Sequence, residues 1–273
     1  MEPQQQLLDA AERGDVEEVS SLLTNNPGLD VNCPNERQIT ALHYASGYGC
    51  VEVVKLLLAH PHINVNVRVE EGQTPLSLGC WNGKVSVVEV LLKDPRVDVT
   101  LDDIDGRTPL WGASFNGYDE VIEWLIASGR DLGNVANVKG KYGVREFSAL
   151  EIARAEKFDK VSALLERFVV NPTQTRHELR VKLGVLDEVA AEIFALTVFL
   201  CDDLLHLKPA LASSTSTFAT ARFFAIAFKL PMELQMILCH GAVGSMKQNI
   251  LRKDSEAAFK SLARILLLLS QVQ

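Results

Sequence analysis

The sequence has no long apolar run, no clustered cysteines and no excess of positive charge, and each absence removes a class of protein. Apolar stretches such as 196–201 and 265–269 are far shorter than the roughly 20 residues a membrane-spanning helix needs. The opening residues, MEPQQQLLDAAERGD, place acids and glutamines where a secretory leader needs a basic start and an apolar stretch. Both features predict a cytoplasmic protein, with the nucleus left open. The five cysteines (Cys33, Cys50, Cys80, Cys201, Cys239) are odd in number and lack zinc-site spacing, so buried reduced thiols are expected. A formal net charge of −8 argues against bulk binding to nucleic acid or to an anionic membrane.

Catalytic signatures are missing too. Gly83-Lys84 fails as a phosphate loop, because Leu78 stands at the first glycine position and Val85 at the hydroxyl position. His177-Glu178 lacks the second histidine of a metalloprotease helix, since residue 181 is Val. Neither GxSxG nor GxGxxG occurs. His60 and His62 flank Pro61 without a third ligand. The expectation is a protein without catalytic residues, metal or cofactor. At 273 residues, 47% hydrophobic and 23% charged, the chain can form one or two ordinary folded domains.

What the sequence does contain is a repeat. Thr40, Thr74 and Thr108 recur every 34 residues and open the phrases TALHYASGYGCVEVVKLLL, TPLSLGCWNGKVSVVEVLL and TPLWGASFNGYDEVIEWLI. Pro27, Pro61 and Pro95 share that spacing. A fainter copy begins at Leu7, and another at Ser148 is displaced by 40 residues. Thr followed by Pro is a helix start, with the hydroxyl placed to cap free N–H groups and proline at the first helical position. Leu76 with Gly79, and Leu110 with Ala113, then face inward. Gly49, Gly83 and Gly117 end the short helix, and the next stretch, such as Val51 to Leu57, carries the spacing of a second, buried helix. One such pair cannot bury its own apolar face, so the pairs must stack.

These phrases resemble the ankyrin-repeat family, whose TPLHxA, glycine and VxxLL pattern is matched over about residues 5–168. The resemblance implies a solenoid of about five helix-turn-helix repeats over 1–170, and with the helical domain read from the residues over 171–273 the expected fold is all-α. The family repeat is about 33 residues, and the extra residue here falls in the proline-bearing loop. Gln38 replaces the turn glycine of the second repeat, Ala41 replaces proline, and Lys157 stands where the fifth repeat should have glycine. The insertion around 138–144 is read as a longer loop. His43 matches the family histidine, which implies a structural hydrogen bond within the turn.

The resemblance also implies protein binding through the concave face and hairpin tips. Gly47, Trp81 and Phe115 are equivalent positions, as are Tyr48, Asn82 and Asn116. The tips would carry Glu36 and Arg37, Glu70 and Glu71, and Ile104 and Asp105. Large aromatics on a polar face suit interface anchors, although Trp81 and Phe115 could instead pack between repeats. The expected partner is a protein, the expected state a monomer.

After residue 170 the period stops and the charge changes. Residues 1–170 hold 16 basic and 26 acidic side chains, a net of −10, and 171–273 hold 11 and 9, a net of +2. Asn171-Pro172 starts a helical stretch with a break at Gly184, and Val189, Ile193, Leu196 and Leu200 share one face, widened by Phe194, Val198 and Cys201. SSTST at 213–217 reads as a joint, and helices are expected near 219–228, 231–239 and 255–269. Leu-Pro-Met-Glu-Leu at 230–234, followed by Ile237, resembles the opening of an F-box or of the PRANC module, within 222–266. That resemblance implies that Leu230, Pro231, Leu234 and Ile237 dock on an Skp-type adaptor of a cullin ubiquitin ligase. Gly241 and Gly244 depart from the pattern, and an ordinary helix start is the other reading.

Overall fold

The computed structural model describes residues 2–201 and 232–243, together with 250, 254, 255, 257, 258 and 260. The chain divides into two compact units, Met1–Leu179 and Arg180–Gln273. In the first, ten helices pair into five repeats: α1 (Pro3–Arg13) with α2 (Val16–Asn25), α3 (Ala41–Tyr48) with α4 (Val51–Leu58), α5 (Pro75–Trp81) with α6 (Val85–Lys93), α7 (Pro109–Phe115) with α8 (Asp119–Ala127), and α9 (Ala149–Ala155) with α10 (Asp159–Val170). The odd-numbered helices pack in one row and the even-numbered ones in a second. The fold is the all-α repeat solenoid expected from the sequence.

The helix starts follow from their capping residues. Thr74 Oγ1 accepts the Ser77 N–H at 3.2 Å, and Thr108 Oγ1 accepts the Trp111 N–H at 3.2 Å. In the fifth repeat Ser148 and Glu151 cap each other reciprocally, at 3.2 and 2.8 Å. In the second repeat, where proline is missing, His43 takes the glutamate's part: its Nδ1 accepts the Thr40 N–H at 3.2 Å. Both rows supply the core; from the even-numbered helices come Val53, Val54 and Leu57, Val87, Val88 and Leu91, and Val121, Ile122 and Leu125, all fully buried.

Between helices of a repeat the chain turns through a left-handed residue: Gly14, Gly49, Gly83 and Gly117, with φ between +66° and +88°. Lys157 adopts the same conformation in the fifth repeat, with φ +64°. Gln38 likewise keeps the left-handed turn at φ +60°, where the next two repeats have Gly72 and Gly106.

The insertion before the fifth repeat is not an open loop. Residues Lys139–Tyr142 (β1) and Arg145–Ser148 (β2) form an antiparallel hairpin, with Tyr142 opposite Arg145. Gly143, at φ +62°, is the first residue of the two-residue turn, which suits type II′.

Helix α11 (Pro172–Lys182) starts within the first unit. Arg176 there donates to the Ile126 carbonyl at 3.2 Å and lies over the Phe168 ring at 5.6 Å, so the first unit extends past the charge change at residue 170. In the second unit α12 (Val185–Cys201) packs against α13 (Met232–Ala242). The buried face of α12 is Leu186, Ala190, Ala191, Phe194 and Ala195, while Val189 is exposed. The face expected from the larger side chains is thus rotated, because the alanines permit close helix approach, with Ala258 and Ile250 at Ala191 and Ala195. The readings at 213–217 and 219–228, the residues Leu230 and Pro231, and most of 255–269 lie outside the described residues, as do the side chains of Val198, Leu200 and Leu234. Among the described residues no helix is long and apolar enough to cross a membrane.

Candidate functional site

The hairpin tips are rigid, because their backbones bond to one another in register. Glu70 N–H donates to the Arg37 carbonyl at 3.4 Å, Ile104 N–H to the Glu71 carbonyl at 3.0 Å, and Lys141 N–H to the Asp105 carbonyl at 2.8 Å. Within two tips a short side chain closes the turn. Asn35 Oδ1 accepts from Arg37 and Ile39, and Asp103 Oδ1 from Asp105 and Arg107, all at 2.9–3.0 Å. With the backbone engaged, Glu36, Arg37, Glu70, Glu71 and Ile104 present exposed side chains, and Ile104 is 70% exposed. Asp105 is half-buried and pairs with Arg107 at 3.0 Å.

At the ends of the odd-numbered helices α5 and α7, Trp81 and Phe115 are half-buried and stack on each other, with centroids 5.5 Å apart. Both also stack on the buried Trp111, at 6.3 and 5.4 Å, and Tyr142 of the hairpin packs on Phe115 at 5.0 Å. Arg107 lies over Trp111 and Trp81 at 5.4 and 5.8 Å and donates through Nε to the Lys141 carbonyl at 2.8 Å. Trp111 Nε1 donates to the Phe147 carbonyl at 2.8 Å. The cluster therefore holds the hairpin against the fourth repeat. Trp111, Arg107 and Tyr142 had no part in the sequence reading. The signal for Trp111 was its place in TPLW, where the second repeat has His43.

The neighbouring row is divided in role. Asn116 Nδ2 donates to the Trp81 and Gly112 carbonyls at 3.2 and 3.1 Å and ties two repeats together. Asn82 is exposed, and so is Tyr48, whose hydroxyl donates to Glu12 Oε1 at 3.2 Å. That bond and the carboxylate's charge raise the Tyr48 pKa above its ordinary value. Where Trp81 and Phe115 have a ring, the second repeat has Gly47. There a groove of about 500 Å³ opens, walled by Tyr44, Tyr48, Leu78, Asn82, Lys84 and Tyr118.

His43 is fully buried at the base of the second repeat. Nε2 donates to the Val67 carbonyl at 3.0 Å, near that of Gln73 at 3.3 Å, while Nδ1 accepts from Thr40. Burial lowers its pKa to about 4 despite those carbonyls. It is therefore a neutral structural link, in line with the role the sequence implies. Cys80 and Cys239 are buried thiols outside any disulfide, and burial pushes the Cys80 thiol up; Cys33 and Cys50 are half-buried rather than buried. His60 and His62 stack edge-on at 5.9 Å, and among the described residues no three His, Cys, Asp or Glu side chains are grouped to hold a metal ion. Of the adaptor-docking residues expected on α13, Ile237 is 43% exposed.

Comparison with known proteins agrees with this architecture. The family model described as ankyrin repeats, in three copies, matches residues 7–103 and 72–136. No curated protein matches the chain.

Proposed function

We propose, on the premise that this chain carries ankyrin repeats over residues 7–136, that it is a non-enzymatic module binding a partner protein along the concave face and the hairpin tips. Such repeats indicate a protein–protein interaction module. The observation that carries the placement is the exposure of large side chains on a hydrogen-bonded frame: Ile104 is 70% and Tyr48 58% exposed. A rigid frame lowers the ordering cost of binding, and exposed aromatic and aliphatic groups are the kind that become anchors. Glu36, Arg37, Glu70 and Glu71 flank them as a polar rim, and the outer edges of Trp81 and Phe115 complete the face. The test is affinity capture on the immobilised chain, wild type against Tyr48→Ala with Ile104→Ser. The double variant should keep its melting temperature and lose the captured protein. Undiminished capture places the partner elsewhere.

The alternative is a substrate receptor of a cullin-type ubiquitin ligase, with Leu230, Pro231, Leu234 and Ile237 docking on an Skp-type adaptor. It is supported by the LPMEL sequence and by the exposure of Ile237 on α13. Purified Skp-type adaptor should be retained by wild type and lost by Leu230→Ala with Pro231→Ala. If wild type retains none, the ligase reading falls and the binding module stands.

A further inference from the structure

We propose that the groove at Gly47 receives an arginine side chain from an extended basic segment of the partner, an inference that rests on the protein-binding reading. Gly47, Trp81 and Phe115 occupy one position in successive repeats, and only Gly47 leaves that place open. A Cβ on Gly47 would meet nothing nearer than Asn82 Nδ2 at 3.5 Å, so the space is real and accessible.

Its chemistry favours a planar cation. Tyr44 and Tyr48 stand nearly parallel, with ring planes 11° apart and centroids 6.3 Å apart, and guanidinium groups stack on such faces. Tyr48 holds the carboxylate of Glu12 by its hydroxyl, which gives the guanidinium an acceptor at the rim. The same face already carries this pairing internally: Arg107 lies over Trp81 and Trp111. A second groove of about 540 Å³ shares Ile39 and Tyr44 with the first and runs past Glu2, Glu36 and Arg37. The joined trough suits an extended chain. Its charged lining groups, Glu2 and Glu36 against Lys84 and Arg37, balance, so the excess comes from Glu12 at the rim and from the array's net −10 over 1–170, and the field favours a basic ligand.

The probe is a random-peptide display library panned against the full chain. The expected selection is enriched in arginine. Replacing that arginine by citrulline, or Gly47 by Trp, should weaken binding of the selected peptide about tenfold or more. Glu12→Gln, at an exposed position, weakens it without any question of folding. Selection of peptides without arginine, no selection at all, or binding indifferent to citrulline overturns the proposal. If Gly47→Trp folds and leaves partner capture intact while Tyr48→Ala with Ile104→Ser abolishes it, the arginine groove fails and the protein-binding face survives. If neither variant alters capture, the binding face itself fails.

Discussion

The ring of Phe158 packs so closely on Gly117 that any β-carbon there would overlap it. The same relationship recurs along the array. A Cβ on Gly14 would come within 2.8 Å of Cys50 Sγ, on Gly49 within 3.0 Å of Lys84 Cδ, and on Gly83 within 2.8 Å of the Tyr118 ring. Each left-handed glycine thus receives the residue that starts the second helix of the next repeat. Gly117→Ala should cost about 2–3 kcal/mol, combining backbone strain at φ +74° with overpacking against a ring. Gly49→Ala should cost less, because the Lys84 stem can move aside. Urea denaturation of the two variants checks the order.

Gln38 and Lys157 pay the left-handed strain with no glycine to relieve it. Gln38→Gly and Lys157→Gly should each stabilise the fold by about 0.5–1 kcal/mol, less the entropy that glycine adds to the unfolded chain. A rise in the melting temperature of either variant is the expected result, and a fall refutes the account.

Trp81 and Phe115 share a stack with Trp111 and Arg107, so replacing them touches more than a surface. Trp81→Ala with Phe115→Ala should lower stability by about 2–4 kcal/mol and loosen the hairpin at 139–148. Hydrogen exchange at Lys141, whose N–H bonds to Asp105, reports the second effect directly.

His43 makes stability depend on pH. Its pKa is about 4 when folded, against an ordinary 6.5, so the unfolded chain binds the extra proton between these values. The stabilisation is complete above about pH 6.5 and is lost as pH falls toward 4, up to about 3 kcal/mol. In His43→Gln the loss between pH 6.5 and 4.5 should be distinctly smaller than in wild type, measured by urea titration at each pH.

Arg130 closes a polar ladder on the other side of the repeats. Asn32 links to the His62 carbonyl and the Asn64 N–H, and Asn66, 34 residues on, links to the Arg96 carbonyl and the Asp98 N–H. The next rung is Thr100, which is too short to reach across. Arg130 instead donates to the carbonyls of Leu92, Asp94, Pro95 and Val97. Arg130→Lys should cost about 1–2 kcal/mol although the charge is kept, since an ammonium cannot span that set.

The period, the helix starts and the left-handed turns were legible because each is set by residues within a few positions of one another: Thr74 with Ser77, Ser148 with Glu151, Gly49 at its helix end. The hairpin at 139–148 was not, since its strands are largely exposed and polar and carry no apolar alternation. Its only local mark was Tyr142-Gly143-Val144-Arg145, a glycine-led two-residue turn. On the proposed binding face, equivalent positions were readable from the spacing, but that Trp111 would stack on both Trp81 and Phe115 depends on packing across repeats. The face of α12 misled because alanines, not the larger Val189, occupy the close contact.

Seen as a polymer of repeats, the array carries its own chain terminator. Growth by duplication requires a bare corner on each unit to seat the next one, and Gly14, Gly49, Gly83 and Gly117 provide four. At Lys157 the corner has the same backbone bend but bears a side chain, exposed to solvent. A copy inserted anywhere before it would find its seat, whereas one added after it would first have to displace a lysine.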